Sequence, residues 1–153
     1  MGSKMHYIFL ILLFLGSLHA NDFAKGEPIQ AFTLLDQFEK PHTIATDIKT
    51  IIVSFEKSTG ADMNAFLNAH QPDYLQKHQA VFIANISEMP SLITKLFAMP
   101  KMRKYKHTIL IINDEENHQF AYQEDKITIY KIENGKVKSI DFVNTSKEVE
   151  KQL

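Results

Sequence analysis

Thr50-Ile51-Ile52-Val53-Ser54-Phe55-Glu56-Lys57-Ser58-Thr59-Gly60-Ala61-Asp62-Met63 is the stretch that decides the fold. Its opening, residues 50–55, is a β-branched and continuously apolar run, the mark of a central strand buried on both faces. The signals then switch to helix. Thr59 followed by Asp62 has the spacing of a capping pair, with the acidic side chain compensating the first-turn dipole. Met63, Phe66, Leu67 and His70 continue at helical spacing until Pro72, which stops or bends the helix. A buried strand that feeds a helix is the unit from which α/β sheets are built.

Upstream, Gly26 and Pro28 mark an extended lead-in over residues 21–30. Two short strands are expected at 31–36 and 42–45, joined by a turn through Gln37-Phe38-Glu39-Lys40-Pro41. Downstream, Ala80-Val81-Phe82-Ile83-Ala84 is a second buried-strand run. Ser87 is placed to cap a helix with Pro90 in its first turn, and Met89, Leu92, Ile93, Leu96 and Phe97 form its apolar stripe. Pro100 is expected to end that helix. Thr108-Ile109-Leu110-Ile111-Ile112 is a third strong strand, followed by a polar loop over 113–118. Residues 127–132 and 137–143 flank Asn134-Gly135, a pair suited to a type I′ hairpin turn. The simplest register sets Ile132 opposite Val137, Ile129 opposite Ile140 and Ile127 opposite Phe142. Thr145 with Glu148 has capping-box spacing and opens a terminal helix through Val149 and Leu153. No repeat or linker interrupts residues 21–153, so they are expected to form one domain.

The first residues have the form of an export leader. Lys4 gives a positive start, residues 8–15 an apolar core, and Ala20 the small residue at a cleavage point. Cleavage near Ala20 would deliver the remaining chain to the periplasm or the outside; the alternative is an uncleaved anchor. The apolar run is shorter than the roughly 20 residues that span a bilayer, and no later segment is long enough. The net charge of −1 gives no reason to expect nucleic acid or an anionic membrane as a partner. The chain has no cysteine, which removes disulfides, thiolate nucleophiles and cysteine-based metal sites.

The order strand, helix, strand, helix, strand, hairpin, helix resembles the thioredoxin-like superfamily. The opener Pro28-Ile29-Gln30-Ala31-Phe32-Thr33-Leu34-Leu35-Asp36-Gln37 is similar to the start of its redoxin and peroxiredoxin branch. The resemblance implies an α/β three-layer sandwich, with a mixed central sheet, a C-terminal β-hairpin and a terminal helix. It also implies a redox pair at the opening of the first helix, where the helix N-terminus lowers a thiolate pKa. Counted from Phe55, the matching positions are Gly60 and Met63, and neither carries a thiol. The family's cis-proline before the third strand corresponds, on this reading, to the step His107-Thr108. Thiol–disulfide exchange and thiol peroxidase activity are therefore excluded.

If the fold holds, a ligand would sit beyond the end of the 50–55 strand, at the helix opening. Lys57, Ser58, Thr59, Gly60 and Asp62 are the candidate ligand-binding residues, for a small anion or a peptide; the plainer alternative is an ordinary capped helix start. The basic run Lys101-Met102-Arg103-Lys104-Tyr105-Lys106-His107 suggests a partner-binding patch. Lys101, Arg103, Lys104, Tyr105 and Lys106 would meet an acidic partner or an anionic headgroup, unless the run is simply a solvated loop. No metal site is expected. His70 and His78 are eight apart across a proline, and His118 beside Glu115 and Glu116 is a lone histidine in a polar loop. No motif names a cofactor, and no serine sits on a nucleophile elbow. The leading expectation is an exported, non-catalytic binding module that meets another envelope protein. The alternatives are a redox-associated protein with a bound cofactor such as flavin, and a structural envelope protein with no discrete site.

Overall fold

In the computed structural model, which describes residues 23–113 and 120–153, strand β3 (Thr50–Ser54) is buried at every position. It lies inside a seven-stranded mixed sheet of order β2-β1-β5-β4-β3-β6-β7. Strands β1 (Phe32–Asp36) and β2 (Pro41–Ile44) form an antiparallel hairpin. Strand β4 (Ala80–Asn85) runs parallel to β3, and β5 (Leu110–Ile112) runs parallel to β4. Strands β6 (Ile127–Glu133) and β7 (Lys136–Val143) complete the other side antiparallel. The expected α/β architecture with a mixed sheet and a C-terminal hairpin is present. The leader, residues 1–20, and the metal alternative at Glu115, Glu116 and His118 lie outside the described residues.

Alternation along β3 sends its side chains into two cores. Ile52 points to the helical side, with Met63 and Leu67 of α1 (Lys57–Asn68), Leu75 of α2 (Tyr74–Lys77) and Val149 of α5 (Ser146–Glu150). Ile51 and Val53 point to the opposite side, with Ile83, Tyr130 and Val137. That second core is closed by Phe23, Ile29 and Phe120, none of which belongs to a helix or strand. Phe23 and Phe120 stack at 4.6 Å. The layer over this face is therefore irregular chain among the described residues. Each fully buried Ile, Val or Phe contributes about 1.5–3 kcal/mol, so both covers are needed.

The lead-in also protects a sheet edge. Gly26 N–H donates to Val137 O at 2.8 Å, Val137 N–H to Glu27 O at 2.9 Å, and Ile29 N–H to Gly135 O at 2.9 Å. The outward N–H and C=O of Val137 at the start of β7, which would otherwise invite another strand, are thereby satisfied.

Local signals were partly redirected by tertiary contacts. Helix α1 begins at Lys57 with Glu56 as its N-cap residue, and it ends at Asn68 before Pro72 is reached. Thr59 and Asp62 do not form the expected capping pair. The Thr59 hydroxyl donates to Glu56 O, and Asp62 reaches across to α5. There its carboxylate accepts from Ser146 N–H at 2.7 Å and from the Ser146 hydroxyl at 2.8 Å. The Thr145 side chain makes no cap bond, and Glu148 accepts instead from Asn144 N–H at 3.1 Å. Helix α5 is thus capped from α1, a contact that no local pattern encodes.

The second expected helix differs most. Segments α3 (Ser91–Ile93), a π-helical turn (Thr94–Ala98) and α4 (Met99–Met102) run on as one helix over 91–102. Ser87 instead folds into a turn on Asn85, whose side-chain oxygen accepts from its N–H and hydroxyl. Pro100 does not end the helix. Met99 N–H bonds Thr94 O, five residues back, and this wider turn relieves the crowding a proline ring imposes on the preceding turn. Ala98, Met99 and Met102 pack on the core. The expected stripe of Leu92, Ile93, Leu96 and Phe97 faces solvent, at 65, 43, 58 and 64 % exposure.

The hairpin register is correct only at its tip. Ile132 pairs with Val137, but a bulge between Lys131 and Ile132 then sets Tyr130 opposite Ile140 and Thr128 opposite Phe142. Val137 and Ile140 are three apart, so a regular strand would place them on opposite faces. The extra residue brings both to the same core.

The bond across to α5 gives a direct test. Asp62→Ala is expected to destabilise the protein by about 0.5–2 kcal/mol, the usual worth of a helix cap, in urea unfolding. Asp62→Asn, which keeps an acceptor, should recover most of the loss. Equal midpoints for wild type and Asp62→Ala would show that α5 does not depend on this contact.

Candidate functional site

The carboxyl ends of β3 and β4 and the opening of α1 meet in a cavity of about 210 Å³, lined by Phe55, Glu56, Asn85, Ser87, Glu88, Phe120 and Tyr122. Glu56 is held on this lining by two partners. Its carboxylate accepts from the Tyr122 hydroxyl at 2.6 Å and from Asp125 N–H at 3.0 Å. The Tyr122 ring packs edge-on to Phe55 with centroids 5.1 Å apart and is half exposed. The hydroxyl of Tyr122, with help from Asp125 N–H, holds the Glu56 carboxyl below its ordinary range. Conversely, the hydrogen bond to Glu56 pushes the Tyr122 phenol up to about 12. Both shifts move these groups away from neutral pH, so the pair is a fixed acceptor and a fixed donor rather than an acid–base couple.

The five residues expected to bind a ligand are separated by the fold. Lys57 and Ser58 are exposed on the first turn of α1. Thr59 is buried and committed to Glu56 O, and Asp62 is committed to Ser146. Gly60 lies in the helix proper, its N–H bonded to Glu56 O at 2.9 Å. A Cβ there would meet Ser54 Oγ at 3.4 Å, so a larger residue is not sterically forbidden. Met63 is fully buried in the helical core. The strand-to-helix turn is only Phe55-Glu56, shorter than counting from Phe55 had assumed. The N-terminal turn of α1 therefore belongs to residues 56–59, and the carboxylate of its N-cap residue Glu56 turns to Tyr122 and Asp125 without capping the helix N–H groups.

The step His107-Thr108 is likewise not beside the helix opening. It leads into β5, which is separated from β3 by β4. The strand adjacent and antiparallel to β3 is β6, and Asp125 at its entry touches Glu56. No peptide bond among the described residues is cis. Tyr122 and Asp125 were missed because they stand in a polar stretch with no periodic pattern; only the fold brings them to Glu56.

The basic run is divided between structure and surface. Arg103 Nε donates to Gln37 O at 2.8 Å, pinning the β1–β2 turn. Tyr105 is half-buried and stacks on His107 at 5.3 Å. His107 is buried, with Nε2 at 2.9 Å from Asn64 Oδ1 and its carbonyl accepting from Gln37 Nε2. Its Nδ1 has no hydrogen-bond partner among the described residues. Lys101, Lys104 and Lys106 remain exposed. His70 and His78 flank Tyr74 at 4.2 and 4.4 Å between ring centroids, each with Nδ1 on a backbone carbonyl four residues earlier. This is a packed aromatic column, and no group of three His, Asp or Glu suited to a metal ion occurs among the described residues.

Comparison with solved structures places the architecture among known folds. A peroxiredoxin-like protein from Aquifex aeolicus superposes with a TM-score of 0.53 at 8 % identity, covering 85 % of each chain. A putative protein disulfide isomerase from Bacteroides thetaiotaomicron gives 0.53 at 17 % identity, over 85 % of this chain and 86 % of that one. The thioredoxin domain of a thiol-disulfide oxidoreductase from Bacteroides vulgatus gives 0.53 at 14 % identity, over 85 and 98 %. The fold is thioredoxin-like. No protein-family model matches the chain, and no curated sequence matches it. Identities this low carry the fold alone. In this thioredoxin-like chain the helix opening is occupied by Glu56, with no sulfur in the sequence to take its place except methionine.

His107 supplies a pH test. Burial pushes its imidazole down to about 4, from an ordinary value near 6.5. Below pH 6.5 the unfolded chain takes up a proton that the folded chain refuses, so stability falls as pH drops from 6.5 to 4. Urea unfolding of wild type should weaken between pH 7 and pH 5, and His107→Gln should weaken less. Parallel losses in both proteins would show that another group governs the window.

Proposed function

We propose that the protein is an exported, non-catalytic binding module that docks another envelope protein through the face at the opening of α1. The observation that carries this reading is the Glu56 carboxylate fastened by Tyr122 and Asp125 N–H at the helix N-cap. A negative charge fixed there disfavours a second anion and favours a positively charged or hydrogen-bond-donating group from a partner. Glu88 and Glu124 add to the same negative field at Tyr122. The aromatic faces of Phe55, Phe120 and Tyr122 offer apolar area beside that charge. Lys57 and Ser58 stand at the rim, where a docked segment would pass them.

The absence of cysteine supports a binding role over thiol chemistry, because the fold retains the face while lacking the reactive atom. Export is supported by the leader pattern of residues 1–20 alone. A leader, an oxidising destination and a thiol-free chain suit a protein that acts by contact.

Photo-crosslinking in the native envelope tests the reading. A photoreactive residue at Ser58 is expected to capture one recurring protein partner, and Glu56→Lys, which reverses the central charge, should reduce that capture by about tenfold or more. A probe at Gln76 on α2, remote from the helix opening, should not capture it. Equal capture from both positions, or no recurring partner from Ser58, would overturn the assignment of this face.

A further inference from the structure

We infer that the 91–102 helix and the basic chain after it form a contact for an anionic lipid surface. The inference is independent of the docking face at Glu56. Leu92, Ile93, Leu96 and Phe97 project to solvent from one face of this helix, while Ala98, Met99 and Met102 anchor the other face to the core. The apolar residues are thus held outward on a fixed support. Phe38, also exposed at 58 %, lies in the β1–β2 turn that Arg103 pins beside the helix end.

Charge decides what covers such a face. From Ser91 to Thr108 there are four lysines and one arginine and no acidic residue, although the whole chain carries a net charge of −1. Lys95, Lys101, Lys104 and Lys106 are exposed, and none makes an ion pair among the described residues. Arg103 meets Glu39 at 3.5 Å, and Glu88 stands before the helix start. An apolar ridge with a lysine fringe is the composition of a helix lying in a membrane interface. Its apolar side chains enter the headgroup–acyl boundary and its ammonium groups meet lipid phosphates. The ridge from Leu92 to Phe97 is about two turns long and one helix wide, small beside the roughly 800 Å² per partner of a stable protein interface. Among the described residues no helix is long and apolar enough to cross a membrane, so the contact would be peripheral.

The chain has no tryptophan, which makes a clean probe available. Full-length protein carrying Phe97→Trp is mixed with vesicles of phosphatidylglycerol and phosphatidylethanolamine, and separately with phosphatidylcholine vesicles. Emission should move to shorter wavelength and be quenched by brominated acyl chains with the anionic vesicles, and much less with the zwitterionic ones. In co-sedimentation, Leu92→Ser with Leu96→Ser and Phe97→Ser should lower binding by at least about tenfold relative to wild type. Replacing the four lysines by glutamine should remove the preference for anionic lipid, as should high salt. Residues 1–22 are common to every protein compared, so the difference reports the helix. The substituted side chains are exposed, and unchanged circular dichroism and melting would confirm that folding is intact. Unshifted indole emission from the Phe97→Trp protein with anionic vesicles would overturn the proposal. So would equal sedimentation of wild type and the triple-serine variant, or loss of Phe97 exposure to a second copy or an acidic protein without lipid.

Discussion

The burial of β3 on both faces is the constraint on which the rest of the structure depends. A strand with Ile52 on one side and Ile51 and Val53 on the other can be stable only between two neighbours and under two covers. Strands β4 and β6 supply the neighbours, with Phe82 and Ile129 toward the helices and Ile83 and Tyr130 toward the other core. Helices α1 and α5 supply one cover, joined by the Asp62–Ser146 contact. The second cover is made from Phe23, Ile29 and Phe120 on irregular chain, where Ile29 N–H is tied to Gly135 O and Ala121, next to Phe120, is tied to Tyr130 and Thr128. The same arrangement brings the ends of β3, β4 and β6 together around Glu56.

Elements written in unbroken apolar runs were legible in the sequence. The strands at Thr50–Ser54, Ala80–Asn85 and Leu110–Ile112 were all visible as such runs, although the last is shorter than its pattern. The Asn134-Gly135 turn was legible for a different reason, since its positive φ values of 52° and 72° suit those residues. Features set by long-range partners were not legible. Asp62 has the spacing of a local cap but finds a better donor 84 positions away. The Leu92–Phe97 stripe has the period of a core face, yet the smaller Ala98 and the flexible Met99 and Met102 take the inward positions. The hairpin bulge was hidden because β6 is buried on both faces, so its own alternation could not specify which register β7 would choose.

The candidate site shows the same division. The sequence pointed to the same end of the sheet as the cavity beside Glu56, since a strand feeding a helix opens onto that end. It did not identify the chemistry of that face. Glu56 was one residue among several at the turn, and only the approach of Tyr122 and Asp125 from beyond the 114–119 stretch makes it the centre. The resulting field is negative at the α1 opening and positive along 91–108. A nearly neutral chain therefore presents two oppositely charged surfaces, which can serve two unlike contacts at once.

The placement of the β1–β2 hairpin bears on the order in which the chain folds. Among the described residues strand β1 joins β5 only through Leu35–Ile111 and Asp36–Leu110, with Gln37 bridging His107 O and Ile109 N–H across 70 and 72 positions. Closing so long a loop offers few contacts in return, whereas β3, α1 and β4 are contiguous and pair over their full length. The hairpin should then be the last unit to dock and the first to detach, a local opening that leaves the central strands intact. Hydrogen exchange should be faster at Leu35 than at Ile52, and equal protection would mean the sheet opens only as a whole. The face that detaches would carry Gln37, the partner of Arg103, with it, while Ala98, Met99 and Met102 keep the 91–102 helix on the core.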